Sequence, residues 1–151
     1  MRNFTAAALL TASLAMMGEA QGQVKFQHIT AAQAAQMVSG TDMPIIARDD
    51  KFNMSFHKRL VSGHVEKHMG WNKELVIQEG DVLLNYGDTA SNPKQTAPGE
   101  FTGEAITGGK SVMLHAGDVV ILPAGLWHEQ LLKGPIMRYI LFKTRQGKQG
   151  Q

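Results

Sequence analysis

From Pro44 onward the apolar residues come in short β-rich runs, broken by Gly, Asp, Asn and Pro at roughly ten-residue intervals. That punctuation predicts an all-β barrel or sandwich. Strands are expected over Ile45 to Arg48, Phe52 to Val61, His64 to His68, Leu75 to Gln78, Val82 to Tyr86, Glu100 to Ile106, Ser111 to His115, Val119 to Leu122, Trp127 to Leu132 and Ile136 to Lys143. Gly80-Asp81, Gly87-Asp88 and Gly117-Asp118 mark bends between them. Ahead of the strands, Thr30 is a good N-cap for an alanine-rich run from Ala31 to Val38 that Gly40 can stop, so one short helix is expected. No repeat of fixed period is present and no helical pattern follows Gly40, which excludes solenoids and alternating β/α folds. The polar stretch from Gly87 to Gly99 reads as a long connection. The last residues, Arg145 to Gln151, contain nothing apolar and read as a mobile, disordered tail.

The start of the chain has a different pattern. Arg2 precedes an apolar Ala- and Leu-rich stretch from Phe4 to Met17, and Gly18-Glu19-Ala20 offers small residues at the spacing a signal peptidase reads. Residues 1–20 are therefore expected to be a cleaved secretory signal, and the protein periplasmic or secreted. The stretch is shorter than the ~20 residues a spanning helix needs. With no cysteine after it to carry a lipid, no membrane anchor is expected once it is removed. The remaining divisions are an N-terminal segment with the short helix (21–43), the barrel (44–144) and the tail (145–151).

Composition narrows the chemistry. Fifteen Lys and Arg against thirteen Asp and Glu leave a net charge of +2, spread thinly, which is no nucleic-acid footprint. Cysteine is absent, so disulfides, thiolate metal sites and cysteine nucleophiles are excluded, and any metal must be held by His and carboxylate. No phosphate-binding glycine loop, serine nucleophile elbow or paired catalytic Asp/Glu motif is present.

The most informative stretch is Gly117-Asp118-Val119-Val120-Ile121-Leu122-Pro123-Ala124-Gly125-Leu126-Trp127-His128. A glycine, five residues, then Pro-x-Gly-x-x-His resembles the second signature motif of the cupin superfamily at all four defining positions. The resemblance implies a single antiparallel β-barrel of jelly-roll type (a double-stranded β-helix). In it Pro123-Ala124-Gly125 turns the chain and the next strand carries His128 into the barrel. The segment from Gly63 to Gly80 stands where that family has its first motif, His-x-His, three or four residues, Glu, six residues and Gly. Counted back from Gly80, the Glu position falls on Lys73, the second His position on His68 and the first on Glu66. Glu74 comes one residue late and faces the opposite side of a strand.

Strand geometry selects among these residues. Alternate residues of an extended strand share a face about 6.6 Å apart, so Glu66 and His68 can converge on one ion. His64 shares the face at ~13 Å from His68, too far on a straight strand for bonds of ~2.0 Å, and stays in reserve as a ligand that a bulge would bring closer. Glu66, His68 and His128 are the expected metal set, suited to Fe, Mn, Ni or Zn. A helical turn over His64 to Met69 would instead pair the two histidines at i, i+4, but six residues between Gly63 and Gly70 are too few for a reliable helix. Lys73 cannot coordinate while protonated. It can pair with Glu66 or bind an anionic substrate group, though a solvated lysine at the strand entrance is the expected reading. Trp71 and Trp127 flank the candidate residues and are expected to pack, while His28, His57 and His115 are expected to be structural or exposed.

The resemblance implies a metal-dependent enzyme acting on a small molecule by lyase, isomerase or dioxygenase chemistry. Glu66 would be the general base if uncoordinated, and Lys73 an anion anchor. The alternative is a metal-free module that binds a sugar or other small ligand without turning it over, and in either case a homodimer is allowed by analogy with the family.

Overall fold

The structure is a computed structural model that describes residues 26–38 and 43–146. The expected signal segment, Gly40 and residues 147–151 lie outside the described residues. One helix, α1 (Ala31–Met37), precedes thirteen strands: β1 (Ile45–Arg48), β2 (Phe52–Arg59), β3 (Val65–His68), β4 (Trp71–Glu79), β5 (Val82–Gly87), β6 (Thr89–Ala90), β7 (Lys94–Ala97), β8 (Glu100–Gly103), β9 (Ile106–Thr107), β10 (Lys110–Leu114), β11 (Val119–Leu122), β12 (Trp127–Leu132) and β13 (Met137–Arg145). Thr30 caps the helix in a reciprocal arrangement with Gln33, as the sequence predicts.

The strands form a five-stranded sheet, β1-β2-β13-β4-β11, and a six-stranded sheet, β10-β5-β12-β3-β8-β7, with β6 and β9 paired separately. All pairings are antiparallel, so the expected all-β container of jelly-roll type with one short helix is what forms. From β2 to β5 and again from β10 to β13, every connection passes from one sheet to the other. The two layers are thereby wound into one container. Glycines make the tight crossings possible. Gly80 and Gly117 have φ of +89° and +95°, and a Cβ at Gly80 would lie 2.0 Å from the carbonyl oxygen of Ile136.

Alternation along the strands puts one set of side chains inside. Leu75 and Ile77 of β4, Val82 and Leu84 of β5, Leu114, Leu122, and Met137, Tyr139 and Leu141 of β13 form a continuous buried cluster. Burying each large aliphatic side chain there is worth about 1.5–3 kcal/mol. The same alternation carries the inward face of β4 from Ile77 and Leu75 to Lys73, where the interior turns polar.

Four local expectations need correction. Gly87 to Gly99 is not a plain connection: it contains β6 and β7. The run Glu100 to Ile106 is broken into β8 and β9 by a pairing of Ser91 with Ala105 and Glu104. The strand expected over His64 to His68 forms, but it starts at Val65, so His64 precedes it. Arg145, expected in the tail, ends β13, where it pairs with Trp71 and places its guanidinium over that ring at 4.5 Å.

Candidate metal centre

The site lies between the two sheets, and the cross-strand register assembles most of it. Glu66 on β3 is directly opposite His128 on β12, and His68 follows two residues later on the same face. The turn at Pro123-Ala124-Gly125 is tied to both sides of the centre: the Gly125 N–H donates to the His68 carbonyl at 2.8 Å, and the Ala124 N–H donates to Asn72 Oδ1 at 2.9 Å. Gly125 has a φ of +87°, a conformation that suits glycine. The turn thus fixes the start of β12 against the end of β3 and the start of β4.

His68 and His128 face each other with ring centroids 5.5 Å apart. Both rings have their tautomer set from behind. His128 Nδ1 donates to the Leu126 carbonyl at 3.1 Å, and burial lowers the pKa of this ring, leaving it neutral with a bare Nε2. His68 Nδ1 is hydrogen-bonded to Glu100 Oε2, its partner across β3 and β8, so its Nε2 is also turned inward. Carboxylate and carbonyl partners behind imidazoles are the usual supports of metal-binding histidines.

Glu66 completes the set. Its Oε1 lies 3.5 Å from His68 Nε2 and 3.2 Å from His128 Nε2. An ion bonded at about 2.1 Å holds adjacent ligand atoms about 3.0–3.4 Å apart, so the donor spacing fits a metal. Among the described residues Glu66, His68 and His128 are the one group of three with ligand atoms mutually within 4.8 Å. Burial alone would raise the Glu66 pKa, but the Lys73 ammonium, through its charge and the hydrogen bond it donates, acts the other way and holds the carboxyl below the usual carboxylate range. It stays ionised.

Lys73 is the main departure from expectation. It is buried, not solvated at the strand entrance, because three acceptors around the ammonium offset part of what it loses on leaving water. Projecting from the opposite sheet, its Nζ donates to Glu66 Oε1 at 2.6 Å and lies 3.2 Å from His68 Nε2 and 3.1 Å from His128 Nε2. Burial lowers its pKa, while Glu66 acts in the opposite direction. His64, held in reserve as a ligand, stays outside the group: its side chain is 69% exposed and its Nε2 is 3.8 Å from Glu66 Oε2. Since β3 begins only at Val65, His64 does not share the inward face that a longer strand would have given it. Glu74 points away, as expected, and accepts from Thr144 Oγ1 at 2.8 Å.

A second polar group had no sequence signal beyond a histidine in a strand. His57 is buried, bonded to Ser55 Oγ at 2.8 Å and stacked on Tyr139 at 4.7 Å. Burial, with the charges of Arg59 and Lys73, lowers its pKa to about 4. Burial raises the pKa of Tyr139, whose hydroxyl accepts from Arg59 Nε at 3.1 Å. Glu100, the support of His68, was also missed; its role follows from the β3–β8 register, which no local pattern reveals. His115 is exposed and paired with Asp81, and Trp127 is buried beside Gly103 with the Lys67 ammonium over its ring, both structural roles.

Comparison with known proteins places this arrangement in a fold. No protein-family model matches the sequence, and no curated protein matches it. Among solved structures, the chain is similar to a cupin-2 domain containing protein from Shewanella frigidimarina, at 14% identity and a TM-score of 0.56 over 78% of this chain and 94% of that one. It is similar to a cupin superfamily protein from Desulfitobacterium hafniense, at 15% identity and a TM-score of 0.55 over 82% and 98%. A third is hydroquinone 1,2-dioxygenase from Sphingomonas sp. TTNP3 with 4-hydroxybenzoate bound, at 12% identity and a TM-score of 0.53 over 76% and 71%.

Proposed function

We propose that this chain, which has the cupin fold, is an exported metal-dependent enzyme acting on a small molecule by lyase, isomerase or dioxygenase chemistry. The observation that carries the reading is the convergence of one carboxylate and two imidazole lone pairs at metal-ligand spacing inside the container. Glu66, His68 and His128 would hold a divalent ion, and Fe, Mn, Ni and Zn all accept two histidines and one carboxylate. Such an ion, when bound, supplies Lewis-acid polarisation of a substrate oxygen.

The chain's own residues provide the rest. Glu100 and the Leu126 carbonyl keep both imidazoles oriented. Lys73 brings a positive charge to the inner face, suited to an anionic substrate group. His57 Nδ1 and Gln130 Oε1 are buried without hydrogen-bond partners, and Gln130 lies two residues beyond His128 on the same face of β12. Buried polar atoms left in this way favour a ligand that carries hydrogen-bonding groups. The similarity to a dioxygenase that acts on hydroquinone supports aromatic or enolic oxygen compounds as one substrate class. Export rests on the N-terminal sequence pattern alone.

A second reading, a metal-free module that binds a small polar ligand or sugar, is favoured by one observation: Lys73 already engages all three donor atoms. Melting curves in saturating Fe, Mn, Ni or Zn separate the two. Stabilisation by at least one ion, lost in His128→Ala, supports the metal reading. No shift with any ion sinks it and leaves the binding module.

A further inference from the structure

Each imidazole Nε2 has one lone pair. In this structure both lone pairs, and one oxygen of Glu66, are directed at the Lys73 Nζ, at 3.2, 3.1 and 2.6 Å. An ammonium has three N–H donors, and here it meets three acceptors. Without a cation these acceptors would repel one another, since Glu66 Oε1 is within 3.5 Å of both ring nitrogens. The centre is therefore neutralised from within by a residue of the opposite sheet.

We propose that Lys73 is an internal cation that occupies the metal site by engaging its ligand atoms, so that a metal ion binds only by displacing Nζ from Glu66, His68 and His128. The inference rests on the metal reading above and adds how that site is controlled. Exclusion is strict at the histidines, because a lone pair bonded to an N–H cannot also bond a metal. It is reinforced by confinement: the Lys73 side chain is only 8% exposed, so a displaced Nζ keeps its charge close to the incoming ion. Like charges in so poorly solvated a place repel strongly. The lysine thus lowers affinity for every divalent ion, and a substrate anion that draws Nζ away from Glu66 raises it.

The test is calorimetric titration of zinc and of manganese into the chelator-treated chain, comparing wild type, Lys73→Met, Lys73→Gln and Lys73→Met with His128→Ala. Met keeps the length of lysine without its charge, and Gln retains a donor for Glu66 should the Met variant not fold. Removal of the lysine is expected to tighten binding by about 100-fold or more, of the order that a displaced buried charge commands, and His128→Ala should abolish the gain. Equal affinity in wild type and Lys73 variants, lost with His128→Ala, overturns the inference and leaves the metal reading standing. Weaker binding in the Lys73 variants overturns it by making Nζ a ligand. Absence of binding in all four proteins overturns both.

Discussion

Replacing Lys73 with methionine in the metal-free protein tests whether the centre is held by charge pairing. The Lys73–Glu66 contact is 2.6 Å long, with side chains 8% and 20% exposed. At an effective dielectric constant of about 20, two unit charges at that separation attract by about 6 kcal/mol. Desolvation of both groups cancels much of this, and the net value of such a pair relative to an apolar replacement is small. Removing one partner is different, because the ionised Glu66 is then left buried against two imidazole lone pairs. Losses of about 3–5 kcal/mol are typical of that situation. Lys73→Met is therefore expected to cost about 3 kcal/mol in urea unfolding followed by circular dichroism, with chelator present throughout. Adding Glu66→Gln removes the stranded charge, so the double variant should recover to within about 1 kcal/mol of wild type, a non-additivity characteristic of groups in contact. A loss below about 1 kcal/mol in Lys73→Met, or additive losses in the double variant, would show that charge pairing does not hold the centre together.

Two further outcomes follow from the supporting residues. Glu100→Gln leaves the strand pairing of β3 and β8 intact but weakens the support behind His68, and zinc affinity by titration should fall about 10–100-fold with an unchanged circular dichroism spectrum. Burial holds His57 at a pKa of about 4, below the ordinary 6.5. Between those values the unfolded chain binds a proton that the folded chain does not, so stability is full above about 6.5 and falls as the pH drops toward 4, by about 3 kcal/mol over the window. His57→Phe keeps a ring against Tyr139 and removes the titrating group, and its urea midpoint should change less between pH 7 and pH 4 than that of wild type.

The second motif was legible because its residues do backbone work that few others can. Gly117 and Gly125 take positive φ, Pro123 sits in the turn, and the turn hydrogen-bonds to His68 and Asn72. Glu66 and His68 were legible by counting back from Gly80 against the first motif, and strand spacing then put them on one face. The position of Lys73 was also readable, by counting back from Gly80, but its state was not. A lysine is buried only when acceptors surround it, and those acceptors come from β3 and β12, strands of the other sheet. Glu100 was hidden for the same reason, and His64 was overvalued because a strand start one residue later removed it from the inward face. The short strands β6 and β7 escaped notice because two to four largely polar, exposed residues show no alternation to read.

His68 and His128 each present a bare Nε2 to one point beside Glu66. Nitrogen-15 NMR of the histidine side chains at neutral pH, with and without zinc added to Lys73→Met, tests it most directly. Both rings are expected to be Nδ1-protonated before zinc and both Nε2 signals to move together on its addition, while those of His64 and His115 stay in place. An Nε2-protonated tautomer in either ring, or a zinc response confined to His64 or His115, would contradict it.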